Sequence, residues 1–160
     1  MLLVNPYAAS GGQQALTGFT IPADTVEGRI IVSFHAYEPY NFALNTSNEY
    51  NTWSESNFSD KNSINAPIDR YYARFVLNGY PVLIGEFGAM NKNNLESRTA
   101  WAKYYTEYAM SRGMPCFWWD NASFTGNGEK FGLLNRANNT FTYPDIVNAL
   151  REGAGVKINE

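Results

Sequence analysis

Glu86 is the residue whose type and position most directly indicate nucleophilic or acid–base chemistry. It follows the short apolar run PVLI (81–84) and is flanked by Gly85 and Gly88. A carboxylate at the mouth of a buried strand is poorly solvated, and the glycines leave room for a substrate beside it. Structural carboxylates more often lie on helix faces. The pattern therefore favours a catalytic role for Glu86 and leaves a structural one open.

Other polar and aromatic residues directly follow two further apolar runs. They are His35, Tyr37, Tyr40, Trp118, Trp119, Asp120 and Asn121. Aromatic residues make up 16% of the chain, with 11 Tyr, 10 Phe and 4 Trp, which is more than a small core needs. Flat aromatic rings pack well against the C–H faces of pyranose sugars. Each ring alone could equally be a core residue, but their grouping predicts a sugar-binding surface.

Metal and redox chemistry have little support in the sequence. His35 is the single histidine and Cys116 the single cysteine. A zinc site needs several such ligands close together, so we expect neither a metal ion nor a cofactor. One cysteine cannot form an intrachain disulfide, and its apolar neighbours predict that Cys116 is a buried, unreactive thiol.

Short apolar runs alternate with longer amphipathic segments and must position these residues. The predicted strands are 2–4, 29–34, 81–84 and 114–118. The predicted helices are 13–16, 68–77, 95–111 and 145–151, and Gly79 and Gly113 end the middle two. Residues 38–65 lack a clear period and are predicted to form a long loop. This alternation predicts one α/β domain over residues 1–160, with a parallel sheet whose carboxyl ends carry the chemistry.

Charge and hydropathy restrict the partners of the chain. The formal net charge is -3 and the scattered Lys and Arg form no basic stripe, so we expect no nucleic-acid partner. No apolar run approaches the roughly 20 residues that span a bilayer, so we expect no membrane partner either. The start MLLVNPYAAS lacks the features of a signal peptide, and localisation stays open.

Four motifs carry a resemblance to a known family. FHAYEPYNF, PVLIGEFGA, MPCFWWDN and GEKFGLLNR resemble, in order and spacing, the later part of family-5 glycoside hydrolases of the β-1,4-endoglucanase and xyloglucanase branch. The resemblance covers nearly the whole chain. It implies half of a (β/α)8 TIM barrel, strands five to eight, and a retaining endo-β-1,4-glucanase acting on β-glucan poly- or oligosaccharides. Relatives of this family are typically secreted.

The resemblance also implies roles for individual residues. Glu86 matches the nucleophile at the end of strand seven, and Tyr37 matches the residue whose hydroxyl bonds to it. His35 matches a residue that contacts the sugar, and Trp119 matches the platform beneath it. Trp118, Tyr40 and Asn121 are further candidates for sugar binding.

The acid/base residue is where the sequence departs from the family pattern. Retaining enzymes need a second carboxyl about 5 Å from the nucleophile. The family supplies it from an Asn-Glu-Pro motif after strand four, which this sequence lacks. Asn48-Glu49 is followed by Tyr50 and lies in a polar segment with no strand before it. The sequence therefore predicts weak activity, or alternatively a catalytically inactive carbohydrate-binding half barrel.

Half a barrel leaves two bare strand edges, which predicts association with a second copy. A two-fold homodimer would close eight strands from two chains. In that arrangement Asp120 of one chain is the carboxyl nearest the place of the missing acid, and we consider it a speculative acid/base residue for the other chain.

Overall fold

A four-stranded parallel sheet forms the centre of the computed structural model, which describes residues 1–156. Its strands lie in sequence order: β1 (Leu2–Val4), β2 (Ile30–His35), β3 (Val82–Phe87) and β4 (Cys116–Trp118). Every neighbouring pair is parallel. The prediction of four parallel strands is confirmed, with β3 extending three residues further than expected.

Five helices and one small hairpin complete the described chain. The helices are α1 (Gln13–Thr17), α2 (Tyr40–Ala43), α3 (Phe58–Arg74), α4 (Leu95–Ser111) and α5 (Pro144–Gly153). Short 3-10 turns occupy Tyr7–Ala9 and Val76–Asn78. The hairpin pairs β5 (Leu134–Asn135) with β6 (Thr140–Phe141) and was not predicted.

The predicted loop over residues 38–65 is wrong at both ends. It contains α2, and α3 begins ten residues earlier than the predicted helix. The Asn57 side chain starts α3 by accepting hydrogen bonds from the backbone N–H groups of Ser59 and Asp60, at 2.9 and 3.3 Å. The helix then continues through Pro67. A polar first turn concealed it, since only the later turns bury apolar side chains.

Aromatic packing holds the helices against the outer face of the sheet. Phe34 of β2 stacks on Tyr71 of α3 with ring centroids 3.8 Å apart, and Phe87 of β3 stacks on Tyr105 of α4 at 4.7 Å. Trp101 is fully buried, and its indole N–H donates to the carbonyl of Glu38. These contacts make the outer face the main hydrophobic core.

The inner side of the sheet is open. Apolar side chains on the two edge strands are largely exposed: 60% for Leu2, 53% for Leu3 and 56% for Phe117. Within residues 1–156 the outer edges of β1 and β4 have no neighbouring strand. The described residues therefore form an open four-stranded sheet and not a closed barrel.

Membrane-spanning helices, metal ligands and cysteine reactivity can also be examined in the described residues. In residues 1–156 no helix is long and apolar enough to cross a membrane, and no group of His, Cys, Asp and Glu side chains could hold a metal ion. Cys116 is partly buried and unpaired, and burial raises the pKa of its thiol to about 12. The thiolate is thus scarce at neutral pH, as expected for an unreactive cysteine.

Candidate active site

His35 and Glu86 lie together at the carboxyl ends of β2 and β3. His35 ends β2 and is in register with Glu86 near the end of β3. The register shifts between Phe34 and His35, where the ladder is irregular. Such irregularities re-aim side chains at strand ends and are common beside active sites. His35 and Glu86 consequently meet at the sheet edge where parallel α/β folds place their sites.

Two side chains contact the same oxygen of the Glu86 carboxylate. The Tyr37 hydroxyl donates a hydrogen bond to Oε2 at 2.8 Å, as the resemblance implied. His35 Nδ1 lies 3.3 Å from the same oxygen. Among residues 1–156 the other oxygen, Oε1, accepts no hydrogen bond. The carboxylate is therefore fixed in orientation, with one oxygen held and one free.

Tyr37 is suited to hold the carboxylate over a wide pH range. Burial raises the pKa of its hydroxyl, and the hydrogen bond and the negative charge of Glu86 raise it further. Its ring packs against Phe131 with centroids 5.6 Å apart. The hydroxyl thus stays protonated, as a hydrogen-bond donor must.

Trp118, the last residue of β4, and Trp119, which follows it, have different surroundings. Trp119 is 42% exposed, and its backbone N–H donates to the carbonyl of Phe87, which places it beside the Glu86 strand end. Trp118 instead packs edge-on against Phe87 and Trp101, and its indole N–H donates to the Phe131 carbonyl. Successive side chains of a strand point to opposite faces. The Trp118 ring is thus held against the core while the residue stays partly exposed, and its part in sugar binding stays a prediction.

Asp120 makes contacts that oppose the acid role considered from the sequence. Its carboxylate accepts backbone N–H bonds from Ala122 and Leu134 at 2.9 Å each and lies 3.4 Å from Arg136. Burial alone would raise the pKa of Asp120, but these backbone hydrogen bonds and the Arg136 contact lower it overall. A carboxyl that stays ionised has no proton to donate. Asp120 therefore fits a structural role in the loop after β4.

Asn121 differs from a simple sugar-binding assignment, whereas Tyr40 remains compatible with one. The Asn121 carboxamide accepts from the N–H groups of Ser123 and Phe131 and donates to the carbonyl of Glu129. Its hydrogen-bonding groups thus hold the same loop. Tyr40 begins α2 with 57% of its surface exposed and remains available to a ligand.

A family model decides which proteins this arrangement belongs with. The model described as "Cellulase (glycosyl hydrolase family 5)" matches residues 1–125. The chain belongs to glycosyl hydrolase family 5. Among curated proteins it is 43% identical over 157 residues to endoglucanase B of Neocallimastix patriciarum, covering 98% of this chain and 32% of that protein. It is 46% identical over 154 residues to endoglucanase A of Clostridium longisporum, covering 95% and 29%.

Solved structures of the family show the same fold. A lichenase from Caldicellulosiruptor sp. F32 superposes with a TM-score of 0.90 at 45% identity, over 95% of this chain and 42% of that one. A broad-specificity endoglucanase from Ruminococcus champanellensis, solved with bound cellotriose, gives 0.85 at 42% identity, over 92% and 42%. The chain spans about a third of these curated relatives and about two fifths of these solved chains, which fits four of eight βα units.

The sequence analysis did not predict two buried cationic side chains, Lys92 and Arg98. Lys92 is 5% exposed, and its Nζ donates to the carbonyls of Asn41 and Tyr50 at 2.7 and 3.0 Å. Burial lowers the pKa of this ammonium group. It ties the loop after β2 to the loop after β3. Asn41 lies in the short helix α2, whereas Tyr50 and Lys92 lie outside the helices and strands, so no periodic pattern could have revealed the contact.

Arg98 of α4 is the second buried cation. It is fully buried, donates from Nε to the carbonyl of Ala89 at 3.0 Å, and lies over the rings of Tyr143 and Trp118 at 4.9 and 6.0 Å. Burial lowers the pKa of this guanidinium to about 10. Arg98 thus braces the segment that follows Glu86. An arginine on an amphipathic helix reads as a solvent-facing residue, which is why it was missed.

Proposed function

We propose that this chain carries the nucleophile-bearing half of a retaining β-glucan hydrolase, with Glu86 as the nucleophile. The main support is the geometry of one carboxylate. Tyr37 and His35 both approach Oε2, which leaves Oε1 free to attack the anomeric carbon of a sugar. A fixed nucleophile loses little entropy when the reaction begins.

β-1,4-Linked glucans are the proposed substrates. The relatives are endoglucanases and a lichenase, and one solved endoglucanase holds cellotriose. The exposed indole of Trp119 offers a flat surface for a glucose ring, and His35 at the end of β2 and Tyr40 at the start of α2 are further candidates for sugar contact.

The proposed reaction proceeds in two displacements. Glu86 Oε1 forms an ester with the anomeric carbon while the bond to the leaving oxygen breaks, and that oxygen takes up a proton. Water then attacks the anomeric carbon, loses a proton and releases the free carboxylate. Residues 1–160 contain no Asn-Glu-Pro motif, so these residues alone offer a natural leaving group no proton donor of the family type. General acids contribute roughly 100- to 10,000-fold, which explains our expectation of weak activity.

A substrate that needs no leaving-group protonation tests the nucleophile directly. We expect a dinitrophenyl 2-deoxy-2-fluoro-β-cellobioside to release one dinitrophenolate per chain and to leave a fluorosugar on Glu86, located by peptide mass spectrometry. Glu86→Gln should remain unlabelled, while Glu49→Gln should label like the parent chain. Labelling of another carboxylate would overturn the assignment.

The exposed indole of Trp119 supports the second candidate, a carbohydrate-binding half barrel without turnover. It predicts that cellotetraose changes the tryptophan fluorescence of the chain but not that of Trp119→Ala. Saturable sugar binding together with a completely unlabelled Glu86 would favour this candidate over the hydrolase.

We also propose that two chains associate through their open strand edges. The unpaired edges of β1 and β4 and the exposed side chains of Leu3 and Phe117 support this. Light scattering should return about twice the 18.0 kDa chain mass. Leu3→Lys should abolish the association, whereas Leu77→Lys, at a residue that is 64% exposed away from the sheet, should not. A mass of one chain at all concentrations would contradict the proposal.

A further inference from the structure

Ser33 has a buried hydroxyl with no partner beside the proposed site. It lies on β2, two residues before His35, and both side chains approach Gly85 of the neighbouring strand β3. Its residue is 1% exposed, and its Oγ is closed to solvent and makes no hydrogen bond within the described residues. A buried hydroxyl without a partner is costly, and most such groups are paired.

Gly85 separates this hydroxyl from the histidine ring. A Cβ atom placed on Gly85 would lie 2.6 Å from Ser33 Oγ and 3.3 Å from both Cδ2 and Nε2 of His35. Ser33 Oγ and His35 Nε2 are therefore within about 6 Å of each other across a bare backbone. Because the oxygen is closed to water, a protein atom must satisfy it, and Nε2 faces the same space.

The protonation of Nδ1 in His35 determines whether Nε2 donates or accepts a hydrogen bond. Nδ1 lies 3.3 Å from the Glu86 carboxylate, which favours an N–H group there over a lone pair. In a neutral imidazole the proton on Nδ1 leaves a lone pair on Nε2, which accepts a hydrogen bond. Ser33 offers the donor that this tautomer requires.

We propose that Ser33 is a positioning residue whose hydroxyl donates to Nε2 of His35 and thereby keeps the Nδ1–H tautomer directed at Glu86. A small rotation of the Ser33 side chain across the space above Gly85 makes this bond. The inference rests on the proposed function for its catalytic meaning, because a held His35 and Tyr37 together orient the nucleophile. Gly85 is needed since any side chain would occupy the shared space.

The chain offers a direct reading of this tautomer because His35 is its single histidine. Long-range 15N–1H correlation spectra of labelled protein contain one pair of ring nitrogens. We expect a protonated Nδ1 and an unprotonated Nε2 in the neutral ring. Ser33→Ala should shift the tautomer ratio about fivefold toward Nε2–H, the change expected from losing one ordinary hydrogen bond.

Two further variants complete the test. Thr99→Val removes another buried, unpartnered hydroxyl, on α4, and should leave the ratio unchanged. Gly85→Ala blocks the shared space and should reproduce the Ser33→Ala spectrum, which covers the case in which Ser33→Ala fails to fold. An Nε2–H tautomer in the parent chain, or an unchanged ratio in both Ser33→Ala and Gly85→Ala, would overturn the proposal. The spectra need no turnover, so their outcome is independent of whether Glu86 is labelled by the fluorosugar.

Discussion

The outer face of the sheet and its carboxyl edge both carry Trp and Tyr, but these residues have different roles in the two places. On the outer face, Trp101 and Tyr105 are fully buried and pack on Phe87. At the edge, Trp119 remains 42% exposed, and the Tyr37 hydroxyl donates a hydrogen bond to the Glu86 carboxylate. The difference shows that aromatic content alone does not locate a binding surface. What separates the two regions is whether a helix covers the ring.

A matched pair of tryptophan truncations should show the largest contrast. Trp101→Ala removes a fully buried ring and an indole hydrogen bond, so we expect a loss of about 3–5 kcal/mol in the free energy of unfolding. Trp119→Ala should cost less than about 0.5 kcal/mol because its site is a surface one. Urea denaturation measures both. Similar losses in the two variants would remove the distinction between the regions.

Asp120 sharpens the comparison, since it lies at the edge but contacts only structural groups. We expect Asp120→Asn to lower the free energy of unfolding by about 1–3 kcal/mol, because an amide group would face backbone N–H donors. The folded-state pKa of Asp120 is lowered, so its contribution is present above about pH 4 and is lost as the pH falls further. Denaturation curves at pH 3 and pH 7 should therefore differ less in the variant. Unchanged stability of Asp120→Asn would contradict this structural role.

Removing the hydroxyl of one tyrosine in each region should have the smallest effects on stability. Tyr71 lies on the outer face and Tyr37 at the carboxyl edge. Burial raises the pKa of Tyr71 to about 12, and its hydroxyl donates to the Ser10 carbonyl. A raised pKa means that stability is complete below the unfolded value near 10 and is lost as pH rises toward 12. Tyr71→Phe should cost about 1 kcal/mol at neutral pH and flatten that alkaline decline.

Tyr37→Phe is the corresponding change at the edge. It should affect stability less than it affects fluorosugar labelling of Glu86, whose rate we expect to fall about tenfold or more as the carboxylate loses its fixed orientation. Equal labelling rates in Tyr37→Phe and Tyr71→Phe would show that the hydrogen bond to Glu86 has no catalytic consequence.

The sequence was sufficient for the order and approximate place of the four parallel strands and for the bounds of one helix. Leu95–Ser111 has clear periodicity and a glycine stop, and its predicted bounds equal the observed ones. The start of α3 was hidden because Asn57 caps a polar turn and Pro67 suggested a boundary that the helix passes through. The two-residue strands of the hairpin are too short to leave a pattern.

The candidate site was predictable in its location but not in every side chain. Strand ends indicated His35, Tyr37 and Glu86 together, because parallel strands share one carboxyl edge. The different surroundings of Trp118 and Trp119 were not predictable, because the contacts of Trp118 with Phe87, Trp101 and Phe131 join residues far apart in sequence. The loop contacts of Asp120 depend on a hydrogen-bond network among residues far apart in sequence, which no local pattern records.

Lys92 limits how this scaffold can be re-engineered. Within residues 1–156 no carboxylate pairs with its buried ammonium group, which donates to the carbonyl oxygens of Asn41 in α2 and of Tyr50. A transplanted loop that altered sugar preference would have to present both oxygens at the same places, or leave a buried charge unpaired at a cost of several kcal/mol. Loop exchange between family members should therefore succeed when the segments around residues 41–50 and 88–94 are moved as one unit, and fail when the first is moved alone.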